Sequence, residues 1–420
     1  MKNDPARRRW ALAVLVIVAA VLVANLIRLT GSTPLDQRAR LSSPGKPGQL
    51  PGQATIDPND GYTALALGHL AAEDWLHGHL PYWNPYEGVG TPLAGEMQSA
   101  AMFPLVPLLA LPQGLLWMHV LLELLAALAT WLLLKRLGLA ETVATLGGIL
   151  FAFSGTFAWL SNAAVNPIAF LPWLLLGIEA VRGGRRGGIV LTASAVALSL
   201  YAGFPEVAFL DTLFALGWAA IRLPARGARG RFAARSLLGG VLGVALAAPI
   251  LVAFADYLRV GFTGDHAAGI GSASLEPIAV SALAVPYLFG PVYAFFFQDQ
   301  RIAAFWASVG GYLSSTSVVL ALSALFSPRR RRLKLYLAVW SLLACLKIYG
   351  FPFVGRAIDL IPGIEATAFD RYAIVTVEFA VILLAVLALD DLNTRQLVIV
   401  GAGVAVVLAL LGAAALPVIR

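Results

Sequence analysis

Residues 10–27 read WALAVLVIVAAVLVANLI, an apolar run close to the ~20 residues that an α-helix needs to cross a bilayer. Lys2, Arg7, Arg8 and Arg9 precede it. A cleaved signal peptide has a shorter apolar run and a small-x-small cleavage site, and no such site follows this one. The segment therefore predicts an uncleaved first membrane span with the N-terminus in the cytoplasm.

The composition extends this pattern to the whole chain. Of the 420 residues, 59% are hydrophobic and 13% are charged, with a mean hydropathy of +0.80; a soluble domain carries roughly 25% charged residues. The net charge of +7 does not indicate nucleic-acid binding, because the basic residues cluster in short connections between apolar runs. Cys345 is the one cysteine, so no internal disulfide can form.

We predict an all-α integral membrane protein, a single polytopic membrane domain over residues 1–420 with about 11 transmembrane helices. The predicted spans lie near residues 10–28, 113–134, 143–161, 167–181, 188–204, 206–222, 236–255, 308–326, 333–349, 372–389 and 396–418. The connections that this alternation places in the cytoplasm hold 20 of the 30 Lys and Arg residues, which supports the alternation. Three long segments then fall outside: 29–112, 256–307 and 350–371.

The first outer loop, 29–112, is rich in carboxylates, aromatic residues, Gly and Pro. Residues 61–79 have a helical pattern, and residues 99–112, apolar with three prolines, are predicted to be interfacial or re-entrant. Asp57 and Asp60 precede the helical pattern. Asp60 is suited to two compatible roles, an N-cap that accepts backbone N–H bonds and a reactive carboxylate.

Other ionisable residues have structural interpretations beside functional ones. His69, Glu73 and His77 would share one helix face, which could bind a metal, but the spacing is generic and more typical of a solvated face, and no metal site is predicted. Ionisable residues within the predicted spans include His119, Glu123, Glu179 and Asp211. Such a group costs ~2.5–3.5 kcal/mol on insertion scales, so we expect pairing between helices or a water-filled cavity.

The string HGHLPYWNPYEGVGTPLAGEMQSAAMFPL at residues 77–105 resembles the first outer loop of the YfhO-like membrane protein family. The family pattern there is close to G-x-L-P-x-W-N-P-Y-x-x-G-x-P-L-x-A-D-x-Q-S-A-x-x-Y-P. Further similarities follow in the family's order: FAFSGTF (151–157), FLPWLLLGIE (170–179), GFPE (203–206) and LIPGIEATAFDRYA (360–373).

That family belongs to the GT-C superfamily of polytopic glycosyltransferases. The resemblance implies an enzyme of the bacterial plasma (inner) membrane that moves a sugar from a polyprenyl-phosphate donor to an envelope glycan or lipid on the outer face. It also implies an essential acidic residue in the first outer loop; Asp60 matches that position, with Asp57 as the reserve. The expected partners are the donor, the acceptor and membrane lipids, and a divalent cation is the one cofactor left open.

The residues expected to bind donor and acceptor are Trp83, Asn84, Tyr86, Glu96, Gln98, Glu206, Arg371, Arg259 and Lys347. An Arg suits a phosphate because its guanidinium is always charged and binds in a bidentate manner. Glu96 stands where the family pattern has Asp, and Glu206 where it often has Gln. Phe369-Asp370-Arg371 departs from a Phe-Arg-x-x-Arg-like pattern, which leaves Arg371 as the matching cation.

Two other functions stay open on the sequence. A transporter or flippase of lipid-linked sugars would depend on the charged residues within the spans more than on the outer loop. A non-catalytic scaffold for envelope assembly would account for the altered motif at residues 369–371.

Overall fold

The computed structural model of the chain describes residues 5–30, 60–159, 165–261, 270–283 and 312–419. In these ranges the structure consists of helices and one small antiparallel sheet, in which β1 (Trp83–Asn84) pairs with β2 (Thr91–Pro92). The predicted all-α class is confirmed. Asp57 and most of the predicted loop 256–307 lie outside the described residues.

The structure describes eighteen α-helices in these ranges. The first nine are α1 (Pro5–Ala24), α2 (Leu26–Leu29), α3 (Ala66–Leu76), α4 (Gly114–Arg136), α5 (Glu141–Ala152), α6 (Gly155–Trp159), α7 (Val165–Ile168), α8 (Leu171–Arg182) and α9 (Gly187–Tyr201). The others are α10 (Pro205–Ile221), α11 (Arg229–Leu246), α12 (Ala248–Val260), α13 (Ser315–Ala324), α14 (Arg331–Ile348), α15 (Pro352–Asp359), α16 (Phe369–Tyr372), α17 (Ile374–Asp391) and α18 (Thr394–Ile419). A π-helical segment, Asp60–Leu65, leads into α3, and a 3₁₀ helix, Val106–Ala110, precedes α4.

Two helices of the described ranges are long and apolar enough to cross a membrane, α4 and the 23-residue segment Phe369–Asp391 formed by α16 and α17. The bent pairs α11–α12 and α14–α15 raise the number to four if each pair is one span. The helices α5, α9 and α13 are apolar but only 10–17 residues long. A helix lies in every predicted span, but length and composition do not qualify all of them as crossings, so the count of about 11 stays a prediction.

Proline accounts for both bent pairs. Pro249 is the second residue of α12, and Pro352 is the first residue of α15. Because proline lacks an N–H and its ring clashes with the preceding turn, the helix before it ends. The axis bends by 65° between α11 and α12 and by 106° between α14 and α15. The predicted straight span 236–255 is therefore broken, and the predicted outer segment 350–371 begins with a helix.

The most buried helix is α17, which packs against α5, α13 and α14. The ring of Phe379 contacts Phe151 of α5 and Phe214 of α10, with centroids 4.7 and 6.1 Å apart. On the other side of the molecule α8 packs against α4 and α9, and α9 packs against α11. The apolar core thus lies between helices that are distant in the sequence.

Two of the carboxylates predicted within spans are paired. Glu179 of α8 accepts two hydrogen bonds from Arg222, at 2.5 and 2.9 Å. Glu123 of α4 accepts one from Asn25 at 2.6 Å and lies 3.1 Å from the His119 ring, which is not aligned to donate. Both carboxylates therefore tie helices together, as the cost of burying an ionisable group leads one to expect.

Three of the basic connections meet at one end of the helices, namely 135–142, 327–334 and 390–395. Asp390 joins them, because its carboxylate accepts hydrogen bonds from the backbone N–H of Ala140 and from the guanidinium of Arg330, each at 3.0 Å. Lys334 donates to the neighbouring Asp391 at 2.5 Å. Three of the segments that the charge pattern assigns to one side of a membrane therefore lie together.

Candidate functional site

The outer loop forms a cleft of about 310 Å³, which we call the acidic cleft. It is bounded by α3, by the β1–β2 hairpin with the residues after it, and by the C-terminal end of α12. The polar side chains that line it are Asn84, Glu87, Thr91, Glu96 and Tyr257. Three of these five residues, Glu87, Thr91 and Tyr257, are absent from the sequence-predicted binding set.

The hairpin turn positions the first three of these side chains. Gly90 has a φ of +100°, and a Cβ there would lie 2.5 Å from the ring of Trp83, so only glycine lets the two strands approach. The side-chain oxygen of Asn84 accepts a hydrogen bond from the backbone of Tyr86 at 3.0 Å. The carboxylate of Glu87 then accepts bonds from Asn84 and Thr91, at 3.4 and 3.3 Å.

Glu96 is the half-buried carboxylate of the cleft. It accepts a hydrogen bond from the backbone N–H of Ser99 at 3.1 Å, in a turn where Met97 and Ala100 have φ values of 70° and 48°. Burial raises the pKa of Glu96 from 4.5 to about 7, and the charge of Glu87 acts in the same direction, against the Ser99 bond that lowers it. A carboxyl group that titrates near neutral pH can both take up and release a proton under physiological conditions.

Tyr257 reaches the cleft because α12 docks closely on the loop. A Cβ on Gly95 would lie 2.7 Å from the carbonyl oxygen of Ala253, one turn before Tyr257. The absence of a side chain at Gly95 thus brings α12 and its tyrosine against Glu96. No local pattern around Tyr257 could have predicted this, since the contact joins segments far apart in the chain.

The other predicted residues of the loop lie near the cleft but do not line it. The ring of Trp83 is about half exposed, and Tyr86 is 82% exposed. Gln98 donates its backbone N–H to the carbonyl oxygen of Glu96 at 3.0 Å. The exposed rings of Trp83 and Tyr86 leave an aromatic surface beside the acidic cleft.

Asp60 begins the π-helical segment that leads into α3. The side chain of Asp60 and the whole of Asp57 lie outside the part of the chain that the structure describes. Leu67, seven residues after Asp60, lines the acidic cleft, and α3 is fixed to the loop by a hydrogen bond from the Trp75 indole to the carbonyl of Ala101 at 2.7 Å. The predicted catalytic residue therefore begins the segment that leads directly into α3, and α3 forms one wall of the cleft.

A second group of predicted residues meets around α16. Glu206 accepts a hydrogen bond from the backbone N–H of Ala368 at 2.6 Å, directly before α16. The rings of Phe204 and Tyr372 lie edge to face, with centroids 4.8 Å apart. The turn 203–206 and the segment 368–372, which the sequence singled out separately, are thus in contact, with Glu206 serving as a structural acceptor.

The predicted phosphate-binding cations are in three different situations. Lys347 is 4% exposed and donates to Asp359 at 2.5 Å and to the carbonyl oxygen of Gly271 at 2.8 Å, so a partner already compensates its charge. Arg371 is partly exposed on α16. Arg259 is exposed on α12, two residues after Tyr257 of the acidic cleft.

Gly203 connects the residues around α16 with the loop that forms the acidic cleft. Its φ is +93°, and a Cβ there would lie 2.5 Å from the carbonyl oxygen of Met97 and 2.7 Å from the Cβ of Ala100. The turn before α10 therefore packs against the loop residues that follow Glu96. The outer loop, the 203–206 turn and the 368–372 segment form one continuous region.

The helix face of α3 shows only loose contacts between its ionisable groups. His69 and His77 lie 3.8 and 3.9 Å from the carboxylate of Glu73, and all three side chains are substantially exposed. Within the described ranges no group of three or more His, Cys, Asp or Glu side chains is arranged to hold a metal ion.

Comparison of the chain with protein-family models, with curated proteins and with solved structures finds no match. The observed class is that of an all-α protein with at least two helices suited to crossing a membrane and an acidic cleft on its longest described loop.

Proposed function

We propose that this protein is a multi-pass enzyme of the bacterial inner membrane that transfers a sugar from a polyprenyl-phosphate donor to an envelope glycan or lipid. In this proposal the predicted spans all cross the membrane, the N-terminus lies in the cytoplasm, and the acidic cleft faces outward. The observation that carries the proposal is Glu96, a carboxyl group with a pKa of about 7 in a polar cleft large enough for a sugar.

The cleft has the chemistry that hydroxyl recognition requires. Asn84, Thr91 and Tyr257 supply neutral donors and acceptors, and the carboxylates of Glu87 and Glu96 supply acceptors. Glycosyl transfer to a hydroxyl group needs a base that removes the hydroxyl proton, and such a base contributes typically 10²–10⁴-fold to the rate. Glu96 is our first candidate for this base among the described side chains, and Asp60 is the candidate that the family resemblance implies.

The donor phosphate requires a cation near the cleft. We propose Arg259 and Arg371 for this role, because both side chains are at least partly exposed. Arg259 lies on α12, which packs on the loop, and Arg371 lies on α16, which follows the segment bound to the 203–206 turn. Lys347 is less suited, since Asp359 and Gly271 already accept hydrogen bonds from its ammonium group. A divalent cation is not needed for this arrangement, and the proposal assigns no ligands to one.

The test is sugar transfer or hydrolysis by the purified full-length protein in nanodiscs, supplied with polyprenyl-phosphate sugars. We expect E96Q to lower the rate by 10²-fold or more if Glu96 is the base, and D60N to do so if Asp60 is. E73Q is the matched control, because Glu73 is an exposed carboxylate on the same loop whose neighbours are two imidazoles. Transfer rates are compared only among variants whose unfolding temperature equals that of the wild type.

The same assay distinguishes the alternatives. A rate unchanged in both E96Q and D60N would contradict the proposed mechanism, and the absence of any transfer or hydrolysis would favour the scaffold. Of the three carboxylates that the transporter alternative depends on, Glu123 and Glu179 are occupied in contacts between helices, which leaves Asp211. Lipid-linked sugar movement in vesicles without transfer would establish the transporter alternative.

A further inference from the structure

A second cavity, of about 480 Å³, lies between α8, α9, α10 and α11, within the size range of small-molecule sites. Its lining is almost entirely apolar. Asp211 of α10 is the one ionisable side chain among the described residues that line it, accompanied by the hydroxyl groups of Ser199 and Thr212. We call it the Asp211 cavity.

Asp211 differs from the other carboxylates within the helices. It is 2% exposed, and neither of its oxygens has a hydrogen-bond partner among the described residues. The hydroxyl of Ser199, on the facing helix α9, also lacks one. Glu123 and Glu179, in contrast, each accept bonds from neighbouring helices. A buried carboxyl group without partners is costly, so a ligand that donates a hydrogen bond would be held there.

The cavity extends to the outer surface of the helices. Leu237, Val241 and Val244 of α11 line it, and about half or more of each of these side chains is exposed. In a membrane-spanning chain such an apolar surface faces lipid, so an occupant can enter sideways from the bilayer. Asp211 lies six residues after Pro205, the first residue of α10, or about 9 Å along the helix axis.

We propose that the Asp211 cavity binds a single-chain lipid that carries a hydroxyl group, with the chain against α11 and the hydroxyl on Asp211. A hydroxyl can donate to an ionised carboxylate and can also accept from a protonated one or from Ser199. It can therefore form a hydrogen bond with Asp211 whether the carboxyl group is ionised or protonated. An ammonium group can only donate and suits only the ionised state. This site is separate from the acidic cleft, and the inference holds whether or not the chain transfers sugars.

The experiment uses the full-length protein in phospholipid nanodiscs with photoreactive hexadecanol, the matched hexadecane analogue and the matched hexadecylamine. Labelled peptides are identified by mass spectrometry. We expect the alcohol to label α10 and α11 about 10-fold more strongly than the alkane, the ratio that one well-made hydrogen bond supplies. Equal labelling by alcohol and alkane, or preferred labelling by the amine, would overturn the proposal.

Variants at Asp211 separate hydrogen bonding from charge. D211L should lower alcohol labelling to the level of the alkane, whereas D211N should retain it, because the amide oxygen still accepts a hydrogen bond. Loss of alcohol labelling in both D211L and D211N would identify a charge-dependent site and contradict a hydroxyl ligand. T212V is the matched control: the Thr212 hydroxyl already donates to Ala208 of its own helix at 2.7 Å, so labelling should not change.

A variant at the entrance tests the location independently of Asp211. V241W places a large side chain on the exposed wall of the cavity, where it is tolerated more readily than in the packed interior. It should reduce labelling by the alcohol and the alkane together. Unchanged alcohol labelling in V241W would place the bound lipid elsewhere and overturn the proposal, even if D211L failed to fold.

Discussion

Three acidic residues of this chain have the same chemistry but different surroundings. Glu179 has an arginine partner, Glu96 is half-buried in a polar cleft, and Asp211 is buried without a partner among the described residues. The surroundings of each carboxyl group therefore differ: a bound arginine at Glu179, burial that raises the pKa at Glu96, and an apolar cavity at Asp211. The sequence identified all three as candidates, but Arg222 at Glu179 and Tyr257 beside Glu96 come from segments far away in the chain.

The raised pKa of Glu96 predicts a pH-dependent stability. The folded state keeps the proton between pH 4.5 and about 7, where the unfolded chain releases it. The free energy of unfolding should therefore fall as the pH rises through this range and level off above it. Thermal unfolding in detergent, with E96Q as the reference, measures this component.

The E87Q variant tests the contribution of Glu87 to the pKa of Glu96. Because the charge of Glu87 helps to raise the pKa of Glu96, its removal should lower that pKa and end the decline in stability at a lower pH. If wild type and E96Q respond to pH identically, Glu96 does not titrate in the way inferred here.

At the scale of elements, glycine and proline decide how the outer region is assembled. Pro249 marks a break in a span that hydropathy alone predicts as continuous, and Pro352 begins a helix in a predicted outer segment. Gly95 and Gly203 allow α12 and the turn before α10 to touch the loop. Hydropathy located α14 to within two residues, but its span 236–255 covers only part of α11 and α12, and it placed α15 in a loop. It could not predict their bends, because the bends depend on single residues within otherwise uniform apolar runs.

Gly203 gives a direct test of this assembly. G203A adds the strain of a positive φ, roughly 1–2 kcal/mol, and a clash with Met97 and Ala100 worth roughly another 1–3 kcal/mol. G138A is the matched control, because Gly138 has a similar φ of +83° but open space around its Cβ position. We expect G203A to lower the unfolding temperature more than G138A and to expose residues 77–105 to protease. Equal effects would mean that the contact contributes nothing.

At the scale of the whole molecule, three connections that are rich in basic residues or predicted to lie with them are in contact with one another. The basic connections 135–142, 327–334 and 390–395 are joined by hydrogen bonds at one end, and the acidic cleft is formed by a segment of the opposite predicted side. The positive-inside rule predicts that the joined connections lie in the cytoplasm and the acidic cleft outside, and this orientation stays a prediction.

Cysteine labelling measures the sidedness. In a C345A background, Tyr86→Cys should react with a membrane-impermeant maleimide added to intact cells, since Tyr86 is exposed on the outer loop. Arg332→Cys, also at an exposed position, should react only after permeabilisation. Labelling of both from the outside, or of Arg332→Cys alone, would contradict the predicted orientation.

The sequence by itself determined the helical, lipid-compatible class of this protein and the segments in which its chemistry lies, because hydropathy, charge and turn residues act locally. Only the tertiary structure decided the partners: Tyr257 beside Glu96, Glu206 on the backbone of Ala368, and an apolar cavity around Asp211. These contacts depend on which helices pack together, and that packing is set by close approaches between distant residues rather than by any local pattern.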